Sequence, residues 1–142
     1  MKKLNDFKQL SLEVVKEMAK AAEEKAASIN VPVIFAAVDA GANLMLMHRM
    51  ENAFITSIDI AVNKAFTAAC LKQGSHEIAG CVQPGESLYG LQLTNNCRIV
   101  PFGGGMPIIV DGEVVGAVGV SGGTVEEDMS IAQAAVDAFN KK

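Results

Sequence analysis

Residues 98–128 read RIVPFGGGMPIIVDGEVVGAVGVSGGTVEED, and the order of signals within them decides the fold. Asp111-Gly112 stands between two β-rich runs, 106–110 and 113–120, which is the strongest short-range signature of a tight hairpin. Thr124-Val125-Glu126-Glu127 then has the T-x-x-E form of a capping box, so a helix opens directly after the second strand. Ile131, Ala134, Ala135 and Ala138 or Phe139 supply the apolar stripe of that helix. A hairpin joins antiparallel strands, whereas a doubly wound sheet needs a crossover helix between each parallel pair.

The pattern repeats toward the N-terminus. Phe7, Leu10, Val14, Met18 and Ala21 or Ala22 recur at helical spacing, predicting an amphipathic helix over about residues 5–28, ended by Asn30 and Pro32. Two short runs follow, 31–39 (VPVIFAAVD) and 44–49, separated by turn formers, and they predict a second hairpin. Residues 54–72 predict a helix that is apolar around most of its circumference, more than one sheet face can cover, which points to an interface between subunits. Residues 73–96 hold Gly74, Gly80, Pro84, Gly85 and Gly90 without sustained periodicity and read as loops with one or two helical turns. With RIVPF counted as a strand, the expectation is an α+β fold: a central, mainly antiparallel sheet of about five strands with helices packed on it, in a single domain over 1–142.

Composition removes several classes of function. The net charge is −4 with no basic block, so neither nucleic acid nor an anionic membrane surface is expected as a partner. MKKLNDFKQL is broken by Asn5, Asp6 and Lys8 and lacks the apolar core of a secretory signal, and the chain is expected to be cytoplasmic. Three cysteines, Cys70, Cys81 and Cys97, match neither a C-x-x-C redox motif nor a paired zinc framework. With 5% aromatic residues, the core must be built from Ala, Val, Ile, Leu and Met.

Gly119-Val120-Ser121-Gly122-Gly123 fits the G-x-S-x-G pattern of a hydrolase nucleophile elbow. That chemistry needs a histidine base and an acid following the serine in the chain, and both His48 and His76 lie upstream. The same glycines at a helix start suggest an anion cradle, but the phosphate-binding lysine is missing and Glu126, Glu127 and Asp128 already place negative charge in the first turn. A tight strand-to-helix turn with Thr124 as its cap is the remaining reading.

Other residues carry candidate chemistry. His48 ends a strand beside Arg49, which alternation puts on the opposite face, and His76 lies in the irregular segment with Glu77 adjacent and Cys70 and Cys81 within a few residues. Lys64 sits in an otherwise apolar helix and needs an acceptor, for which Asp39 and Asp59 are the expected partners. Arg98 leads into Gly103, Gly104 and Gly105, which allow a backbone to approach something closely. Arg49, Lys64 and Arg98 together would suit a carboxylate, such as a haem propionate or a small organic acid.

VPVIFAAVDAGANLMLMHRME, SIDIAVNKAFTAA and RIVPFGGGMPIIVDGEVVGAVGVSGGTVEED resemble the GlcG/HbpS-like family, which also supplies the C-terminal domain of PduO-type corrinoid adenosyltransferases. The resemblance covers essentially the whole chain. It implies an α+β fold with an antiparallel sheet and a homo-oligomer. It also implies haem binding as in some members, or a link to corrinoid metabolism and to diol, glycerol or glycolate use. The matching positions are Asp39, Gly41, Arg49, Lys64, Gly103, Gly104, Gly105, Gly122, Gly123, Glu127 and Asp128. No counterpart of the adenosyltransferase domain is read in the chain, so the resemblance does not carry ATP use over to it.

The leading expectation is an oligomeric haem-binding protein, with cobalamin as a possible ligand. The iron would be held by His76 or His48, with Met47, Met50 and the cysteines behind them, and the propionates by Arg49 and Arg98. His76 is favoured because an irregular segment can fold over a flat macrocycle. The alternatives are a small-molecule enzyme or binding module for a short hydroxy acid or diol-derived metabolite, and a structural partner within a larger complex.

Overall fold

In the computed structural model, which describes residues 1–141, Asp111 and Gly112 take φ values of +52° and +79° and close a two-residue hairpin between partners Val110 and Glu113. The two strands it joins are Gly105–Val110 and Glu113–Ser121, preceded along the chain by strands Ile34–Asp39 and Leu44–Arg49. We number these β1 (Ile34–Asp39), β2 (Leu44–Arg49), β3 (Gly105–Val110) and β4 (Glu113–Ser121), and the helices α1 (Leu12–Ser28), α2 (Thr56–Leu71) and α3 (Val125–Asn140). The sheet order is β2-β1-β4-β3 with every pairing antiparallel, which is the expected α+β architecture.

Register decides what each face meets. Phe35 and Ala37 of β1 lie opposite Val120 and Val118 of β4, and these side chains pack with Val15, Met18 and Ala22 of α1 and Ile131 and Ala135 of α3. The alternate set, Ile34, Ala36, Val38 and Ala117, meets Ala61, Ala65 and Ala68 of α2 on the other face. Three alanines let the helix lie close to the sheet, and Gly119 lets it lie closer still. A Cβ at Gly119 would overlap the Ala61 carbonyl oxygen and stand 2.6 Å from the Ala65 nitrogen. Gly119→Ala is therefore expected to lower stability by about 1–3 kcal/mol through overpacking, seen as a lower denaturation midpoint at unchanged m-value.

The structure differs from the sequence reading in three places. The first helix begins at Leu12, not near residue 5. Ser11 caps it by accepting a bond from the Val14 N–H, while the Leu10 N–H donates to the Val115 carbonyl and ties the preceding chain to β4. RIVPF is not a strand, so the sheet has four strands among the described residues instead of about five. Side chains take part of its backbone bonding: the Val100 N–H donates to Thr67 Oγ1, and Ser75 Oγ donates to the Phe102 carbonyl while accepting from the Gly105 N–H. The irregular segment contains four short 3-10 turns, at Ser75–Ile78, Gly80–Val82, Leu91–Leu93 and Asn95–Cys97. Among the described residues, no helix is long and apolar enough to cross a membrane.

Candidate functional site

Lys64 is the most deeply placed charge in the fold, 1% exposed in the middle of α2. Its Nζ donates to Asp128 Oδ2 at 3.0 Å and to the Val120 carbonyl at 2.8 Å. The partner is thus in the first turn of α3, not Asp39 or Asp59 as the sequence suggested. Asp39 accepts instead from the N–H groups of Gly41 and Asn43 in its own turn, and Asp59 lies exposed on α2. The ion pair joins α2, on one face of the sheet, to α3 on the other. Burial holds the Lys64 ammonium below its usual range although the Asp128 charge pulls it up, and burial raises the Asp128 carboxyl although Lys64 and the Gly123 N–H pull it down.

Both glycine blocks serve this pair. Gly104, at φ +127°, leaves the space in which Lys64 Nζ lies, since a Cβ there would stand 2.7 Å from it. Gly105 is approached by the Lys64 backbone carbonyl, while Gly103 makes room for Met129 and Val125 of α3. On the other side Gly123 donates its N–H to Asp128 Oδ1 at 2.8 Å. Thr124 and Glu127 form the reciprocal capping box. Ser121 Oγ is buried and bonded to Ser57 Oγ at 2.9 Å, with neither histidine beside it, so the nucleophile-elbow pattern reads as part of a turn. A cavity of about 230 Å³ opens above the pair, bordered by Phe54, Ile60, Phe102, Ser57, Ser121 and the Gly122-Gly123 turn.

The remaining candidates lie elsewhere. Arg98 places its guanidinium 3.7 Å from the centroid of the Phe66 ring and donates Nε to Asn63 Oδ1 at 3.0 Å, so it packs along the flank of α2. Arg49 stands on edge strand β2, opposite Ile34, and is exposed. The three cations are therefore held in three separate settings. His48 faces α1 from β2, and its Nδ1 lies 2.6 Å from Glu23 Oε1. These two residues line an open cleft of about 460 Å³ with Met47, Arg49, Met50 and Glu51. His76 is exposed in the first 3-10 turn, while the neighbouring Glu77 carboxylate accepts the Gly74 N–H at 2.6 Å. Among the described residues, no three His, Cys, Asp or Glu side chains gather as a metal cluster.

Residues 10–137 match the family model described as haem degrading protein HbpS-like. The chain belongs to the HbpS-like family. Its structure superposes with a TM-score of 0.99 on the crystal structure of Klebsiella pneumoniae protein ORFY, at 54% identity over 100% of this chain and 98% of that one. A second crystal structure, the PduOC:heme complex, gives a TM-score of 0.90 at 41% identity, covering 93% of this chain and 96% of that chain. The corrinoid adenosyltransferase PduO of Salmonella typhimurium is 41% identical over 131 residues, 92% of this chain but 39% of that protein.

In this HbpS-like chain, two partners escaped the sequence reading. Glu23 looks like any other charge on the outer face of α1, and only the fold brings it to a histidine 25 positions away. The pairing of Asp128 was partly signalled, because a lysine in an apolar helix demands an acceptor. Helix periodicity alone could not say that the acceptor lies 64 positions downstream.

Proposed function

We propose that this chain is a haem-binding protein in which His48 supplies the iron ligand at the edge of the sheet. The observation that carries the reading is the contact of 2.6 Å between His48 Nδ1 and the Glu23 carboxylate in an open cleft. Metal-ligating histidines characteristically give their second ring nitrogen to a carboxylate, which fixes the ring and leaves the other nitrogen free to coordinate. The donor set around it fits a haem: an imidazole, the thioethers of Met47 and Met50 as soft apolar contacts, and Arg49 for a propionate. Bound haem would supply an iron centre able to take axial ligands and exchange electrons. The haem complex of the 41% identical PduOC supports the same ligand class. Likeness to a corrinoid adenosyltransferase makes cobalamin the second tetrapyrrole to test and supports a role beside corrinoid metabolism.

Titration of the purified protein with haemin is expected to give a saturable change in the Soret band with a stoichiometric end point. A cobalamin titration is the parallel arm. An absence of saturable change with haemin overturns the haem reading.

The protein acts as a homo-oligomer in this proposal. Ile55, 76% exposed just before α2, and Leu88, Tyr89 and Leu93 in the irregular segment leave apolar surface that a second copy would cover. Light scattering at micromolar concentration is expected to give a mass well above the 14.9 kDa of one chain. A monomer would remove the argument.

A further inference from the structure

The buried lysine is not used by a haem at the sheet edge, and its surroundings suit a different chemistry. Lys64 lines a cavity whose outer wall is apolar, with Phe54 and Phe102, and whose floor is polar, with Ser57, Ser121 and Asp128. Its ammonium has three N–H donors, two of which go to Asp128 and the Val120 carbonyl. The Phe102 ring stands 5.1 Å from Nζ and is itself 41% exposed, so the wall beside the amine reaches the surface. At about 230 Å³ the cavity is smaller than the roughly 300–1,000 Å³ pockets that take drug-sized ligands, so it suits short molecules.

We propose that Lys64 forms an imine with short aldehydes or ketones in this cavity, with Asp128 moving the protons. Lysines that act in this way are desolvated, so that the amine is reachable near neutral pH, and they need a neighbouring group to shuttle protons. Burial and Asp128 meet both needs here, and the lowered affinity of Lys64 for its proton agrees with them.

The steps balance without an external redox partner. The Lys64 ammonium gives one proton to the Asp128 carboxylate. The freed amine lone pair attacks the carbonyl carbon, and the C=O π pair moves to oxygen. A proton passes from the new ammonium nitrogen to that oxygen and gives a neutral carbinolamine. Asp128 returns its proton to the hydroxyl, the C–O bond breaks, and the nitrogen lone pair forms C=N as one water leaves. The product is a protonated imine beside an ionised Asp128, so the charges of the pair are restored. Ser57, whose Oγ accepts from Ser121 Oγ, stands on the same wall with its own hydroxyl hydrogen to give to the carbonyl oxygen. This activity is independent of haem binding at His48.

The full chain is incubated at neutral pH with propanal and cyanoborohydride, digested, and mapped by peptide mass spectrometry. Lys64 is expected to be alkylated at least about ten-fold faster than the exposed Lys20 and Lys72. In denaturant the selectivity should vanish. Propanal labelling of exposed lysines that leaves Lys64 unmodified in the folded protein overturns the proposal. Labelling of Lys64 no faster than that of Lys20 and Lys72 in the folded protein overturns it too, since the cavity would then give the amine no advantage.

Discussion

Asp128→Asn is expected to cost the fold about 3–5 kcal/mol, because it removes one member of a buried ion pair and strands the other. The side chains of Lys64 and Asp128 are 1% and 4% exposed, so solvent offsets little of the lost charge. The substituted amide would keep an oxygen for one hydrogen bond but not the charge. If that oxygen serves the Gly123 N–H, Lys64 must either remain ionised against the Val120 carbonyl alone or give up its proton on folding. Lys64→Met is expected to be costly for the mirror reason, although the N–H of Gly123 still serves the carboxylate of Asp128. The double variant Lys64→Met/Asp128→Leu should be more stable than the sum of the single losses, since buried ion pairs replaced by apolar residues often lose little. Urea denaturation of the four proteins measures the coupling. Single variants that each cost less than about 1 kcal/mol with additive effects would show that the pair does not hold α2 to α3.

That pair also marks the boundary of what the sequence made legible. Local signals were strong wherever the chemistry was local: Asp111-Gly112 made its hairpin, and Thr124 with Glu127 made its capping box, because turn and cap geometry depend on residues a few positions apart. The antiparallel sheet followed from those signals. RIVPF misled because a run of apolar β-formers looks the same whether its backbone pairs with a strand or with Thr67 and Ser75 side chains. The start of the first helix misled because Phe7 and Leu10 continued a helical spacing that Ser11 in fact interrupts. At the site, the triple glycine correctly signalled a close approach, but nothing near it in sequence named Lys64 as the group approached. Long-range pairings of this kind are set by the sheet order, which periodicity does not encode.

The second large effect concerns the histidines. His48→Ala is expected to abolish the native Soret band or weaken haemin affinity by at least about ten-fold, whereas His76→Ala should bind as the wild type does. The sequence favoured His76 because its segment is irregular, yet in the fold that side chain is exposed on a 3-10 turn and borders none of the cavities described above. His48 is fixed on β2, which restricts it but also orients it, with Glu23 at 2.6 Å holding one ring nitrogen. Glu23→Gln separates orientation from ligation: loss of an outer carboxylate on a metal-bound histidine costs about 10–100-fold in affinity. The Soret position in that variant should stay close to wild type, because the iron keeps the same ligand. Arg49→Ala should weaken binding without moving the band, and Arg98→Ala should do neither, since Arg98 is stacked on Phe66 and bonded to Asn63 away from the cleft. An unchanged spectrum and affinity in His48→Ala, together with loss of binding in His76→Ala, would return the ligand to the irregular segment and detach Glu23 from the haem.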